Sequence, residues 1–149
     1  MRIAIAADHN GWALRDRLAE RLRADGHTVH DLGGRPDPDG GRVVDYPPLC
    51  AAVCAEVTAG RADRGIVLGG SGLGETIACN KVRGIRAGLC HDEWSARISR
   101  ANNDSNVLVL AAKRLPQETA ESLTATWLTT AFKGGVHARR LAQIAELER

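Results

Sequence analysis

Short runs of β-branched and aliphatic residues alternate with longer amphipathic stretches along the whole chain, and this alternation constrains the fold more than any other feature. Ile3 to Ala7 reads as a strand. Trp12 to Asp25 reads as a helix, because Leu14, Leu18 and Leu22 recur every four residues and Gly26 follows as a stop. Thr28 to Leu32 is a second strand. From Gly33 to Pro48 the sequence GGRPDPDGGRVVDYPP is too rich in glycine, proline and aspartate for either element, so a surface loop is expected. A helix from Leu49 to about Thr58, a strand from Gly65 to Leu68 and a helix from about Glu75 to Lys81 follow. Arg86 to Cys90 is the fourth strand. Asp92 is placed to cap a helix running to about Ala101, and Val107 to Ala111 is the last strand. Pro116 lies near the first position of a helix ending around Thr130, and a terminal helix starts at about Val136.

Strands that alternate with helices in this way form a parallel sheet, and right-handed crossovers place helices on both of its faces. The expected fold class is therefore α/β: one doubly wound, Rossmann-like domain over residues 1–149, five parallel strands in the order 2-1-3-4-5, closed by the C-terminal helix. A chain of 149 residues is long enough to bury roughly 70% of its unfolded surface without a disulfide or structural metal. In such sheets ligands bind beyond the carboxyl ends of the strands, where the strand order reverses, here between the first and third strands.

Charge narrows the partners. The 20 basic and 18 acidic residues are spread along the chain for a formal charge of +2, so no block marks a nucleic-acid or membrane surface, while a small anion remains compatible. The N-terminal apolar run is too short for a signal peptide and no stretch approaches the ~20 residues of a membrane span, which points to a cytoplasmic protein. Cys50, Cys54, Cys79 and Cys90 form no C-x-x-C pair. Cys50 and Cys54 lie one helical turn apart among alanines and valines, as reduced core residues do.

Two segments leave the strands that flank the reversal: Ala7-Asp8-His9-Asn10-Gly11 and Gly69-Gly70-Ser71-Gly72-Leu73-Gly74-Glu75. The second lets main-chain N–H groups approach a ligand oxygen, because four of its residues lack a Cβ and it opens a helix. That is an anion or oxyanion cradle; it is neither G-x-x-x-x-G-K-[ST] nor a dinucleotide G-x-G-x-x-G with its acidic ribose ligand, so a nucleotide site is disfavoured, and a merely structural tight turn is the lesser alternative. Glu75 has two readings as well. It is a first-turn carboxylate complementing the helix dipole, or it is the base of a proton abstraction beside a carbonyl, with the N–H groups holding the developing enediolate oxygen. Asp8 and His9 likewise are either a cap and a surface imidazole or the partners of a substrate hydroxyl or phosphate.

The sequence resembles the type B ribose-5-phosphate isomerases, whose relatives include galactose-6-phosphate and tetrose-phosphate isomerases. IAIAADHNGWALR, DYPPLC (Asp45 to Cys50), IVLGGSGLGETIACNKVRGIRAGLC (Ile66 to Cys90), SRANNDSNVLVLAAK (Ser99 to Lys113) and GGVHARRL (Gly134 to Leu141) carry the likeness over nearly the whole chain. The resemblance implies an aldose–ketose isomerase that needs no metal or cofactor and works through a cis-enediol. Members use either a cysteine before the glycine loop or a glutamate after it. Gly69 stands at the cysteine position and Glu75 at the glutamate position, so this chain resembles the glutamate branch, with Glu75 and Ser71 as catalytic residues. Asp8, His9, Gly70, Gly72, Leu73, Gly74 and Asn103 would bind substrate.

Departures from the family pattern bear on the substrate. Asn102 replaces the histidine that opens a furanose ring, and asparagine cannot act as that acid or base. Of three phosphate-binding arginines one matches Arg140, while Lys113 and Val136 replace the others; His137, Arg139 and Arg114 lie close by in sequence. Expected substrates are ribose 5-phosphate, a four-carbon sugar phosphate that needs no ring opening, or an unphosphorylated sugar; a non-catalytic partner subunit is the alternative from another class. The resemblance also implies a homodimer, with tetramers as a further option, whose sites lie at the subunit interface.

Overall fold

The computed structural model describes residues 1–33 and 43–148. In chain order its elements are β1 (Arg2–Ala7), α1 (Trp12–Ala24), β2 (Thr28–Asp31), α2 (Tyr46–Thr58), β3 (Arg64–Gly69), α3 (Leu73–Cys79), β4 (Ala87–Leu89), α4 (Glu93–Ala101), β5 (Val107–Ala111), α5 (Gln117–Thr129) and α6 (Val136–Glu146). Every strand pairing is parallel. Residues 34–42 of the expected loop lie outside the described residues.

Side chains alternate across a strand, so a two-sided sheet needs two cores. Ile3, Ile5 and Ala7 of β1 join Ile66, Leu68, Leu108 and Leu110 under α1, α4 and α5, where Trp127 is fully buried. Ala4, Ala6, Val67 and Val109 face α2 and α3, packed with Cys50, Val53, Cys54 and Cys79. The second layer sits close: a Cβ on Gly65 would lie 2.6 Å from Val53 Cγ1. All four cysteines are buried and free, as expected. Burial pushes the Cys90 thiol up to about 11, so it packs rather than reacts.

The strand order is β2-β1-β3-β5-β4, which corrects the expected 2-1-3-4-5 by exchanging the last two strands. Their composition explains the exchange. β5 reads Val-Leu-Val-Leu-Ala, is buried throughout and pairs on both sides, with β3 and β4. β4 spans three half-buried residues and takes the edge, where a short strand exposes the fewest unpaired main-chain groups. The chain must then reverse direction after β4. Two right-handed crossovers running in opposite directions put α3 and α4 on opposite faces, which is where Cys79 and Ala96 are found.

Helix starts also differ from expectation. α2 begins at Tyr46 rather than Leu49, with its prolines in the first turn, where a missing N–H leaves no hydrogen bond unmade. α3 begins at Leu73 rather than Glu75, and ends at Cys79. Asp92 caps α4 as expected: Ser95 N donates to its Oδ1 at 2.7 Å and Ser95 Oγ accepts from Asp92 N at 3.2 Å. No helix among the described residues is long and apolar enough to cross a membrane.

Burial on both faces makes the inner strands β1, β3 and β5 sensitive to a cavity. Leu110→Ala should lower stability by about 2–5 kcal/mol, whereas Glu20→Ala on the exposed face of α1 should stay within about 0.5 kcal/mol, as read from urea unfolding midpoints.

Candidate active site

Three strand ends are stitched together at the carboxyl edge of the sheet. Asp8 N donates to Leu68 O at 3.1 Å, Ala112 N to Gly69 O at 2.8 Å, and Lys113 N to Gly70 O at 3.1 Å. These bonds continue the ladder past the strands and bring the β1, β3 and β5 loops into one surface. Gly11 makes the approach possible, because a Cβ there would sit 2.9 Å from Leu68 Cβ. The reversal of strand order between β1 and β3 therefore opens on Asp8, on the loop from Gly69 to Gly74, and on Lys113.

Gly72 adopts a left-handed φ of 73°, which turns the chain sharply into α3. Ser71 Oγ accepts from Leu73 N at 3.3 Å within that turn, and Thr76 Oγ1 donates to Gly72 O at 2.7 Å. Glu75, the third residue of α3, points inward and is only 3% exposed. Its carboxylate fills the space a side chain at position 69 would need, since a Cβ built on Gly69 overlaps both carboxylate oxygens and the carbon between them. Burial pushes the Glu75 carboxyl above the ordinary glutamate range; its own main-chain N–H pulls the other way, and the Asp8 carboxylate adds a smaller upward push. A carboxylate in this state is a stronger proton acceptor than a solvated one and is poised for acid–base work nearer neutrality.

Asp8 is 5% exposed and does not cap α1, whose N-cap is Gly11. It accepts instead from the main chain and side chain of Asn10, at 2.8 and 2.9 Å. His9 is exposed and stands edge-on to Trp12, with ring centroids 6.3 Å apart. On the other side of the glycine loop a cleft of about 510 Å³ is lined by Ser71, Leu73, Leu89, His91, Ala111, Arg114 and Leu115. Among the described residues, no group of histidine, cysteine, aspartate or glutamate is placed to hold a metal ion.

The remaining expected residues lie at the opposite end. Asn102 and Asn103 follow α4, where Arg86 Nε, just before β4, donates to Asn103 O at 3.2 Å. The Asn102 Oδ1 is buried with no hydrogen-bond partner among the described residues. His137 and Arg140 are on α6, which is preceded by a bond from Lys133 N to Ala101 O at 3.0 Å and followed by bonds from Gly84 N to the Glu148 carboxylate at 3.1 and 3.0 Å. These contacts hold α6 near the amino edge of the sheet. The two edges are about 16 Å apart along the five residues of β5. A four- or five-carbon sugar phosphate does not reach from one set to the other.

The family pattern described as Ribose/Galactose Isomerase matches residues 3–144. The chain belongs to the ribose/galactose isomerase family. It is 35% identical to ribose-5-phosphate isomerase B of Escherichia coli over 99% of this chain and 96% of that protein. It is 36% identical to D-erythrulose-4-phosphate isomerase of Pectobacterium atrosepticum over 98% of this chain and 94% of that protein. Among solved structures, ribose-5-phosphate isomerase B of Clostridium thermocellum superposes with a TM-score of 0.95 at 42% identity, covering 99% of this chain and 97% of that one.

In this member of the ribose/galactose isomerase family the structure thus gathers Asp8, His9, Gly70, Ser71, Gly72, Leu73, Gly74, Glu75 and Lys113, and keeps Asn102, Asn103, His137 and Arg140 apart from them within one chain. Sequence reasoning passed over three residues of the gathered surface. Asn10 braces Asp8. Tyr46 abuts Gly74, where any Cβ would overlap its hydroxyl. His91 lines the cleft beside Ser71. Only Asn10 carried a signal, its place inside the segment leaving β1; Tyr46 and His91 reach the surface through packing of distant elements.

Gly69→Ala should force the Glu75 side chain from its niche and destabilise the fold by about 1–3 kcal/mol. Adding Glu75→Ala should recover most of that loss, and a double-mutant cycle by thermal unfolding measures the coupling; strictly additive effects would show that the two positions do not share one volume.

Proposed function

We propose that this chain is an aldose–ketose isomerase of short sugar phosphates, with Glu75 as the base. The observation that carries the reading is the buried Glu75 carboxylate in the niche left by Gly69, beside a loop of main-chain donors. In the reaction the carboxylate takes the proton from the carbon next to the carbonyl. The electron pair of that C–H bond forms the enediol double bond, and the carbonyl oxygen gains charge that the N–H groups of Gly70 to Gly74 hold. The Ser71 hydroxyl, at the loop's exposed face, assists the movement of the hydroxyl proton from one oxygen to the other. Glu75 then returns its proton to the neighbouring carbon. Asp8 accepts from a substrate hydroxyl and His9 and Lys113 meet the more distant oxygens.

The overlap of a residue-69 side chain with the Glu75 carboxylate supports the glutamate branch. A cysteine at 69 and a glutamate at 75 compete for one volume, so a member carries its base in one position or the other. Cys50 and Cys54 on α2 and Cys79 at the end of α3 are packed together in the core.

Asn102, Asn103, His137 and Arg140 join this chemistry when they come from a second copy. A twofold pairing that sets the amino edge of one subunit against the carboxyl edge of the other completes two sites at once. The exposed apolar side chains Leu73 and Ile77 on α3, Trp94 on α4 and Leu147 after α6 supply surface for it. Asn102 favours a second reading within the class. With asparagine in place of the ring-opening histidine at 102, a four-carbon sugar phosphate, which stays open, is a substrate matched to the residues present.

Glu75→Gln should reduce turnover of ribose 5-phosphate and of the four-carbon aldose phosphate by at least about 10³-fold while keeping the circular dichroism spectrum; retained turnover of either would remove Glu75 from the role of base. The raised carboxyl pKa also sets two pH signatures. Activity needs the ionised carboxylate, so kcat/KM should rise with pH through a midpoint above the ordinary glutamate value. The folded chain favours the protonated form, a stabilisation present below the unfolded pKa and lost as pH rises through the folded one. Glu75→Gln should therefore be more stable than the parent at neutral pH and lose that advantage in acid.

Composite sites predict complementation. Glu75→Gln and Asn103→Ala chains, each inactive alone, should recover about a quarter of parental activity when co-expressed, because half the dimers are mixed and each holds one intact site. No recovery would place the whole site in one chain.

A further inference from the structure

Among the described residues, Asp104 is the one non-glycine residue with a left-handed backbone, at a φ of 43°. It stands where α4 ends, and that end is tied by two nested main-chain bonds, Asp104 N to Arg100 O at 3.0 Å and Ser105 N to Ser99 O at 3.1 Å. Glycine, or less often asparagine, is usual at such a stop, since a Cβ crowds a left-handed backbone. Ending the helix does not by itself call for an aspartate.

Two arginines grip this residue. Arg100, with 6% of its side chain exposed, donates from Nη1 to Asp104 Oδ1 and to Ser105 O, both at 2.7 Å, and its guanidinium lies 5.8 Å from the centre of the Trp127 ring. Arg86 donates from Nη2 to Asp104 Oδ2 at 3.0 Å and to Asp104 O at 2.8 Å. Its Nε donates to the same carbonyl at 3.0 Å and to Asn103 O at 3.2 Å. The main chain of Arg86 is in turn fixed to Asn106, whose Oδ1 accepts from Arg86 N at 2.8 Å and whose N donates to Arg86 O at 3.1 Å. The carbonyls of residues 103, 104 and 105 are thus all held by guanidinium groups. The side chain of Asn103 is the exception: it is exposed and makes no hydrogen bond among the described residues.

A backbone in a sparsely populated region persists only where its neighbours over-determine it, and such positions gather at functional sites. Here the grip fixes the Asn103 main chain and leaves its amide open to a ligand. We propose that Arg86, acting with Asp104, is a positioning residue for Asn103: the guanidinium fork holds the turn so that the Asn103 amide meets a substrate hydroxyl already ordered. The inference rests on the reading of Asn103 as a substrate contact supplied to a partner's site.

Arg86→Lys keeps the charge but carries no planar fork. Asp104→Asn keeps a residue that helix stops accept and removes the charge facing Arg86. Both are to be compared with the parent by steady-state kinetics on the sugar phosphates above, by thermal unfolding, and by nitrogen-15 relaxation of the Asn103 main-chain amide. Each should lower kcat/KM roughly 10- to 100-fold, since a small misplacement of a binding group costs this much. The order parameter of residue 103 should fall from about 0.85 toward about 0.6 in Arg86→Lys. Co-expressed with Glu75→Gln, Arg86→Lys should recover about a quarter of parental activity; co-expressed with Asn103→Ala it should recover none, because both chains then lack a working residue 103. Recovery with Asn103→Ala overturns the proposal, as do a parental kcat/KM for Arg86→Lys or Asp104→Asn and an unchanged order parameter in Arg86→Lys. Failure with Glu75→Gln also overturns it when Glu75→Gln and Asn103→Ala complement each other. If that reference pair fails too, or the parent turns over no sugar phosphate, the reading of Asn103 falls, and the catalytic half of this proposal with it; the relaxation data then decide alone whether Arg86 clamps the turn.

Discussion

The site depends on one steric exchange: Gly69 has no side chain, and the Glu75 carboxylate occupies the volume this leaves. Everything near it follows from that occupancy. The carboxylate is buried because the niche is enclosed by β3 and α3, and burial raises its proton affinity, which a base near neutrality requires. The glycine loop can bend over the niche because Gly72 takes a left-handed conformation. Tyr46, from the first turn of α2, packs against Gly74 and closes the far side. A larger residue at any of these glycines would move the carboxylate or the loop.

The sheet sets the distances at which such residues can meet. Loops that leave β1, β3 and β5 share one edge because those strands are adjacent in the order β2-β1-β3-β5-β4. The parallel direction of the strands sends the end of α4, with Asn102 and Asn103, to the other edge. Parallel strands return each crossover helix to the amino edge, so residues just after a helix and residues just after a strand are separated by the length of the strand. In our reading a second subunit bridges that separation.

Much of the fold was legible in the chain because its signals are local. The period-four leucines of α1, the buried runs of β1, β3 and β5, and the Asp92 cap each depend on neighbours within a few residues. The order of β4 and β5 was not legible, since the choice rests on comparing two strands for burial on both faces, and a local pattern holds no such comparison. The start of α2 was misplaced because proline reads as a loop signal, although it is accepted in a helix's first turn.

For the site, sequence alone determined the residue types that can do the chemistry and their attachment to particular strands: Asp8 and His9 after β1, the glycine loop and Glu75 after β3, Lys113 after β5. It also placed an asparagine at 102, which in our reading bears on the substrate. Only the tertiary structure decided that Glu75 lies in the Gly69 niche, that Asn10 braces Asp8, that Tyr46 and His91 join the surface, and that Asn102, Asn103, His137 and Arg140 stand at the far edge. The reason is physical: residue identity and helix or strand period are properties of neighbouring positions, whereas burial, shared volume and distance arise only when segments far apart in the chain are packed against one another.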